Sequence, residues 1–302
     1  ASLSLMRLVE LAHEAGLPPG VLNAVTGEGP VVGEAMALSM DVDVLVFTGS
    51  GGTGRRLLTY AAQSNLKRVY LELGGKSPNI VFADAPDLQE AAKVAAFGIF
   101  RNAGQVCVAG SRLLVEASIH DDFVAEVARV AEAMKVGNPL DISTAIGAVN
   151  SETQLRQNLQ FVTTAVEEGG TIATGGGQLL QETGGYFMAP TIITDVAPKA
   201  TLAQQEVFGP VLAVTSFKDE ADAIGLANDS IYGLAGGVWT ANLSRAHRMI
   251  GAVRTGVIHV NTYGGPDVTV PLGGVGQSGN GHDKSLHALE KYTNLKTAWI
   301  KL

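Results

Sequence analysis

The sequence predicts an α/β protein with a parallel sheet. Short apolar runs typical of strands occur at 20–25, 42–47 and 67–73, and segments with helical spacing separate them. Such β-α-β alternation implies parallel pairing of the strands. Glycine supplies 37 of the 302 residues, and its clusters fall at predicted strand ends and turns. We therefore expect a backbone that comes close to a bound ligand.

The chain opens in a predicted helix, because Leu5, Leu8, Val9 and Ala12 recur at helical spacing and Gly16 follows as the expected C-terminal cap. Later segments are assigned in the same way, by helical spacing or by short apolar runs bounded by turn residues. Helices are predicted at 87–100, 119–134, 151–168, 221–227 and 242–252, and strands at 113–115, 186–193, 211–217, 236–239 and 256–260. The last segment, 294–302, is predicted to be extended and amphipathic.

Composition argues against several classes of protein. The net charge is -8 with a pI near 5.3 and no basic stripe, so we expect no nucleic-acid partner. We expect no membrane insertion, because no apolar run approaches the length of a spanning helix. A single cysteine excludes an internal disulfide and fits a reducing, cytoplasmic location. With one cysteine and six scattered histidines, no metal site is predicted.

A glycine-rich turn follows the strand predicted at 42–47. Residues 49–54 read G-S-G-G-T-G, which matches the G-x-G-x-x-G fingerprint of dinucleotide-binding folds. In that fingerprint an acid about 20 residues further on holds the ribose. Glu72 stands near that position, at the end of the next strand-like run.

Cys107 and Glu72 are the candidate catalytic residues. Cys107 lies in "FRNAGQVCVAGSR", where small and amide residues predict a tight turn that presents the sulfur to a cleft. The alternative is a buried, inert cysteine. Glu72 interrupts an apolar strand just before Gly74-Gly75, and burial there would raise its pKa and favour a general base. The alternative is a solvent-facing glutamate at a strand end.

Three further segments are weaker signals taken singly. Glu206 lies in "QQEVFGPV", which by itself reads as a turn into a strand. Asn261 follows a predicted strand, at the carboxyl end where ligands of parallel sheets gather. The loop at 271–279 is rich in glycine but lacks the lysine of a phosphate-binding loop.

Taken together, the motifs resemble the NAD(P)-dependent aldehyde dehydrogenase superfamily over essentially the whole chain. The matching stretches are "FTGS", "LELGGKSPNIVF", "FRNAGQVCVAGSR", "EVFGPV", "ANDSIYGLAGGVWT" and "GVIHVN". The C-terminal stretch is most similar to the γ-glutamyl-γ-aminobutyraldehyde dehydrogenase branch. The resemblance implies a partial Rossmann-type domain at 1–73, an α/β catalytic domain at 74–285 and a C-terminal oligomerisation strand at 286–302.

The resemblance also implies roles for single residues. Cys107 would attack the aldehyde to form a thiohemiacetal and then a thioester, and Glu72 would be the base for hydrolysis rather than a ribose ligand. Asn102 would organise the turn before the cysteine. The cofactor, NAD or NADP, would be held by Gly49 and Ser50 at its pyrophosphate, by Glu206 at the nicotinamide ribose, and by Phe208 against the nicotinamide ring.

The resemblance further implies missing parts and a choice of substrate. Members of the superfamily carry the opening Rossmann strands, an oxyanion-hole asparagine and a ribose-binding lysine before the point where this chain begins, so we expect a fragment that binds NAD weakly and turns over poorly. A homodimer or homotetramer is expected of the full-length protein. Two alternatives are an inactive assembly scaffold and a residual esterase. Asp267 could attract the ammonium group of an aminoaldehyde, or be a solvated turn residue.

Overall fold

The computed structural model describes residues 2–265 and 267–302, which form two compact units. The first unit comprises residues 2–47 and 52–70, and the second comprises residues 48–51 and 71–302. The predicted boundary after residue 73 falls inside the second unit, three residues from this division, and it stays a prediction.

The first unit is built from three helices and two strands among its described residues. They are α1 (Ser2–Glu14), α2 (Gly29–Leu38), β1 (Val44–Thr48), α3 (Gly51–Gln63) and β2 (Arg68–Glu72). The strands β1 and β2 are hydrogen-bonded neighbours, and their last residues lie in the second unit.

The strand predicted at 20–25 is wrong. Gly20 adopts a positive φ of 86°, and the Asn23 amide donates to the Gly20 carbonyl at 2.8 Å. The N–H of Val21 is likewise used within the turn, on the Pro18 carbonyl. The segment therefore satisfies its polar groups locally and is a turn, although its apolar residues suggested a strand.

The second unit contains a seven-stranded sheet in its described part. The strand order is β11-β10-β3-β4-β9-β8-β5, and every pair is parallel except β5 with β8. This confirms the predicted α/β class with a parallel sheet. Its strands are β3 (Pro78–Val81), β4 (Arg112–Glu116), β5 (Thr171–Thr174), β8 (Thr191–Thr194), β9 (Val211–Phe217), β10 (Ala235–Trp239) and β11 (Val257–Val260).

Helices cover both faces of this sheet, because successive residues of a strand point to opposite sides. Val81 and Val115 pack into a cluster with residues of the helices at 88–100 and 120–133, whereas Ile80 and Leu114 pack into a cluster with residues of the helices at 220–228 and 243–252. The helices of this unit are α4 (Leu88–Phe100), α5 (His120–Ala133), α6 (Glu152–Glu167), α7 (Thr201–Gln204), α8 (Glu220–Asn228) and α9 (Leu243–Ala252).

Two predicted extended segments differ from the structure. The run 186–193 is divided into β7 (Phe187–Met188), which pairs with β6 (Gln178–Leu179), and β8 in the large sheet. Pro190 stands between them, and proline has no N–H for a sheet hydrogen bond. At the C-terminus, residues Leu286–Tyr292 form a 3-10 helix, and no strand is assigned in 293–302. A strand is assigned only where a neighbour pairs with it, so the extended conformation expected for 294–302 stays a prediction.

Along the part of the chain that the structure describes, none of the helices is both long and apolar enough to cross a membrane.

Candidate active site

The candidate residues meet at the amino ends of three parallel strands. Glu72 and Gly75 precede β3, Cys107 precedes β4, and Glu206 precedes β9. The expectation that a ligand gathers at the carboxyl ends of the strands, near Asn261, concerns the other edge of the sheet and stays a prediction. Asn261 does lie at the carboxyl edge, but its side chain bonds the backbone N–H and carbonyl of Thr240 at 2.9 and 3.0 Å, so it joins β10 to β11.

The Cys107 loop is held in an unusual backbone conformation. Asn102 and Ala103 both have φ of 53°, and the Asn102 amide donates to the Gln105 carbonyl at 3.0 Å, which confirms that Asn102 organises this turn. Gly104 also has a positive φ of 70°, and a Cβ at this position would lie 2.1 Å from the Gly209 carbonyl oxygen. Only glycine fits there. The loop leaves Cys107 partly exposed, so it is not sealed in the core.

Glu72 ends β2 and is buried, with 6% of its surface exposed. Its Oε1 atom has no hydrogen-bond partner. Three residues later the backbone passes the loop that carries Cys107: a Cβ on Gly75 would lie 2.5 Å from the carbonyl oxygen of Cys107. The segment that carries Glu72 is thus packed directly against the segment that carries Cys107.

Glu206 completes the cluster from the third loop. Its carboxylate accepts a hydrogen bond from the Gly75 N–H at 3.1 Å, and a Cβ on Gly74 would lie 1.9 Å from its Oε2 atom. Gln154 steadies the loop by donating to the Val207 carbonyl at 2.9 Å. Phe208 has a φ of 54° and keeps 38% of its surface exposed.

The carboxylates of Glu72 and Glu206 affect the pKa of the Cys107 thiol. Burial raises the pKa of the Cys107 thiol, and the carboxylates of Glu206 and Glu72 raise it further, while the N–H groups of Val108 and Cys107 oppose the rise. Burial raises the pKa of Glu72 to about 8 and also raises that of Glu206. At neutral pH the resting site therefore holds a thiol and a largely protonated Glu72.

The structure also places the residues predicted to hold a dinucleotide. The Gly49 N–H donates to the Glu72 carbonyl at 3.1 Å, which ties the glycine turn to the strand end. Ser50 is exposed and immediately precedes the first residue of α3, so it stands at a helix N-terminus, where anions bind. A carboxylate acceptor and an exposed ring, from Glu206 and Phe208, fit the hydroxyls of a ribose and the face of a nicotinamide. The residues present thus fit such a cofactor.

Two residues near the site, Tyr263 and Lys76, were not singled out from the sequence, although Lys76 lies within the matching stretch "LELGGKSPNIVF". The ring of Tyr263 lies where a Cβ on Gly98, Gly110 or Gly237 would touch it, and its hydroxyl donates to the Val108 carbonyl at 2.9 Å. Lys76 is 1% exposed, its Nζ has no partner, and burial lowers its pKa to about 7. The contacts of Tyr263 join distant segments, so no local pattern could have revealed them.

Asp267 is exposed, and its Oδ1 accepts hydrogen bonds from the Thr269 N–H and hydroxyl at 2.8 and 2.6 Å. These bonds lower its pKa. This is the arrangement of an ordinary turn aspartate, the second of the two interpretations. In the described chain, no group of three or more His, Cys, Asp or Glu side chains could hold a metal ion.

Comparison with known proteins identifies the fold. The sequence model of the Aldehyde dehydrogenase family matches residues 1–298. A curated relative from Escherichia coli, the NADP/NAD-dependent aldehyde dehydrogenase PuuC, is 52% identical over 99% of this chain and 60% of its own length. The chain thus spans about 60% of the length of the curated relatives it resembles.

Solved structures of aldehyde dehydrogenases share the fold of this chain. P. syringae AldA, an indole-3-acetaldehyde dehydrogenase in complex with NAD+ and IAA, is 54% identical with a TM-score of 0.96, and the match covers 98% of this chain and 60% of that one. A γ-glutamyl-γ-aminobutyraldehyde dehydrogenase from Burkholderia cenocepacia is 50% identical with a TM-score of 0.93, covering 96% and 58% of the two chains. Both the sequence match and the shared fold lead to one assignment: the chain belongs to the aldehyde dehydrogenase family.

Proposed function

We propose that this chain carries the catalytic residues of an NAD(P)-dependent aldehyde dehydrogenase, which oxidises an aldehyde to a carboxylic acid. The observation that supports this most is the meeting of three loops that brings the partly exposed Cys107 thiol under the electrostatic influence of Glu72 and Glu206. Family membership supports it independently.

Cys107 is the nucleophile. The S–H bond breaks first, as the thiol proton passes to solvent water at the partly exposed Cys107; the thiolate then attacks the aldehyde carbon, a C–S bond forms, and the carbonyl oxygen becomes the oxyanion of a thiohemiacetal. The N–H groups of Val108 and Cys107 lower the pKa of the thiol, and the Cys107 N–H would stabilise the developing oxyanion. When bound, the nicotinamide accepts the hydride of the aldehyde carbon, which leaves a thioester on Cys107.

Glu72 is the general base of the second half of the reaction. It takes a proton from water, the water oxygen adds to the thioester carbon, and the C–S bond breaks to release the acid and the thiolate. Because burial raises its pKa to about 8, the ionised, active form increases as the pH rises through that value. Glu206 and Phe208 hold the nicotinamide half of the cofactor, and Gly49 and Ser50 the pyrophosphate.

Thioester chemistry is tested without any cofactor by an activated ester. The 302-residue chain is mixed with 4-nitrophenyl acetate, and intact and peptide masses are followed by mass spectrometry. We expect an acetyl group on Cys107 that turns over in the wild type and accumulates in Glu72→Gln, with deacylation slowed roughly 100-fold or more. The exposed Glu167→Gln is the control variant and behaves as wild type.

The Cys107→Ala variant tests whether the thiol is the nucleophile. If Cys107→Ala is acetylated and hydrolyses the ester as fast as the wild type, the thiol is not the nucleophile. The redox step is measured separately, as NADH or NADPH formation from an aldehyde by the same preparation. Acyl turnover without hydride transfer would support the residual esterase, and neither reaction would support the inactive scaffold.

For the substrate we propose an aminoaldehyde or a related aliphatic aldehyde. The 50% identity to the γ-glutamyl-γ-aminobutyraldehyde dehydrogenase supports this class. The 54% identity to AldA supports a second candidate, an arylacetaldehyde. The ratio of kcat/KM for 4-aminobutyraldehyde and indole-3-acetaldehyde decides between them. A preference for the indole compound would overturn the first proposal.

We further propose that the C-terminal segment takes part in assembly into a homodimer or homotetramer. Its large apolar side chains are almost fully solvent-exposed in the single chain, with Leu295 at 105%, Trp299 at 94% and Leu302 at 115%. A partner strand would satisfy the free backbone of this segment. Light scattering on wild type and on a variant lacking residues 294–302 tests this, and an unchanged mass would refute it.

A further inference from the structure

The turn that carries Cys107 is held by hydrogen bonds on both sides of one peptide group. Cys107 and Val108 are the central residues of this turn, which the Ala109 N–H closes by donating to the Val106 carbonyl at 3.0 Å. The carbonyl of the same peptide group, between residues 108 and 109, accepts a hydrogen bond from the Tyr263 hydroxyl at 2.9 Å. Rotation of this peptide group therefore requires both bonds to break.

Tyr263 comes to this turn from a segment 155 positions away in the sequence. Asn261 ends β11 with a positive φ of 52°, and the chain turns back after it. Gly264 has a φ of 79°, and a Cβ there would lie 3.6 Å from Nη2 of Arg101. Residues 261–265 therefore run beside the loop between α4 and β4 that carries Cys107.

The ring of Tyr263 fills a slot lined by three glycines. A Cβ would come within 3.3 Å of the ring on Gly98 of α4, within 3.2 Å on Gly110, and within 2.5 Å on Gly237 of β10. The ring of His259, from β11, has its centroid 5.3 Å from that of Tyr263. Because a helix, a loop and two strands hold the ring, its hydroxyl is directed at a single acceptor before any substrate binds.

The turn also affects the chemistry of the thiol. Burial raises the pKa of the Cys107 thiol, and the N–H groups of Val108 and Cys107 oppose that rise. The carboxylates of Glu206 and Glu72 are the charged groups that act on the thiol, and both add to the rise. Burial raises the pKa of the Tyr263 hydroxyl as well, so this group keeps its proton, and its hydrogen bond, where thiols titrate.

We propose that Tyr263 is a positioning residue for the nucleophile, whose hydroxyl locks the turn 106–109 in the conformation that holds the Cys107 sulfur in its partly exposed place. The ring provides the fit to the glycine slot and the hydroxyl provides the lock, so the two contributions can be separated by phenylalanine. The inference rests on the proposed role of Cys107 as the nucleophile.

Tyr263→Phe is expected to loosen the turn while the slot stays filled. The Ala109 amide should exchange with deuterium roughly 3- to 10-fold faster, because opening of the turn no longer breaks a second hydrogen bond. The pH midpoint for alkylation of Cys107 by iodoacetamide should rise by about half a pH unit, since the N–H groups of a loose turn favour the thiolate less. Tyr292→Phe makes the same chemical change at a tyrosine that is 65% exposed; it is the matched control and leaves both quantities unchanged.

Both quantities are measured on the full 302-residue chain. Deuterium exchange of the Ala109 amide is followed by NMR. Alkylation rates are read from the intact mass between about pH 6 and 10, and Cys107 is the single cysteine of the chain, so the added mass reports this thiol alone.

An alkylation midpoint in Tyr263→Phe equal to that of wild type overturns the proposal, even if the Ala109 amide exchanges faster, because the hydroxyl would then support only the fold. A shifted midpoint with unchanged exchange overturns it as well, since the turn would not be the link.

A second variant decides the matter if circular dichroism shows that Tyr263→Phe fails to fold. Gly98→Ala adds a Cβ 3.3 Å from the ring and must raise the midpoint through displacement of the hydroxyl; an unchanged midpoint overturns the proposal. Alkylation needs no acyl turnover. Absence of ester hydrolysis by the wild type would therefore refute the proposed function without affecting this result.

Discussion

Replacing Glu72 by glutamine should stabilise the folded chain in alkaline solution. The carboxyl group is 6% exposed, and burial raises its pKa from 4.5 to about 8. Between these values the folded state keeps a proton that the unfolded state has lost, so the stability contributed by protonated Glu72 is complete below pH 4.5 and is lost as the pH rises to 8. Glutamine cannot ionise, so the Glu72→Gln variant loses no stability at this site as the pH rises.

The magnitude follows from the two pKa values. One pH unit is worth about 1.36 kcal/mol per proton, so a pKa raised from 4.5 to about 8 sets an upper limit of about 5 kcal/mol on the loss. Water that reaches the ionised group reduces this cost, and we expect roughly 2 kcal/mol or more. This is a large share of the marginal stability of a typical domain.

The assay is urea unfolding of wild type and Glu72→Gln at several pH values between 5 and 9, followed by circular dichroism. The difference in the free energy of unfolding between the two proteins is expected to shift steadily in favour of the variant as the pH rises. Glu167→Gln, at an exposed helical position, is the control and runs parallel to wild type. A constant difference between wild type and Glu72→Gln across this range would refute a buried, protonated Glu72.

Three further predictions concern the loops and the helix that support the site. Gly104→Ala should lower the free energy of unfolding by roughly 2 kcal/mol or more, because its φ is 70° and its Cβ would collide with the Gly209 backbone. Gly52→Ala is the control: its Cβ would meet nothing within 4 Å, and the variant should raise the free energy of unfolding by up to about 1 kcal/mol. Equal effects of the two substitutions in thermal or urea unfolding would contradict the close packing at Gly104. Asp87→Ala should cost about 1 kcal/mol in the same measurement, since its carboxylate caps α4 at the Glu90 N–H. The Glu206 carboxylate raises the pKa of the Cys107 thiol. In Glu206→Gln, the rate of Cys107 alkylation by iodoacetamide should therefore begin to rise at a lower pH than in wild type. Superimposable pH profiles of the two proteins would show that Glu206 does not affect the thiol.

Helices and strands could be predicted where the pattern of apolar residues along the segment is sufficient to specify them. The apolar run 211–217 is confirmed as β9 (Val211–Phe217), and the helical spacing of 87–100 is confirmed as α4 (Leu88–Phe100). The segment 20–25 shows the limit of such a signal, because an apolar run becomes a strand only where a neighbour accepts its hydrogen bonds. Here Asn23 and Gly20 close a turn instead.

Candidate residues of the site could likewise be named from motifs, but not their surroundings. Cys107, Glu72 and Glu206 stand in distinctive stretches of sequence. Nothing local indicates that they meet at the amino ends of β3, β4 and β9.

The amino-acid sequence by itself determined the α/β class, the family and the identity of the residues with reactive side chains, because periodicity, turn chemistry and motif spacing are properties of neighbouring residues. Tertiary structure alone decided which edge of the sheet carries the site, which glycines let the loops touch, and which charges act on the Cys107 thiol. Leu71 and Asn280, which share a hydrogen bond, are separated by 209 positions. Contacts over such distances are fixed by the packing of the whole unit, and the pKa of a buried carboxylate depends on that packing.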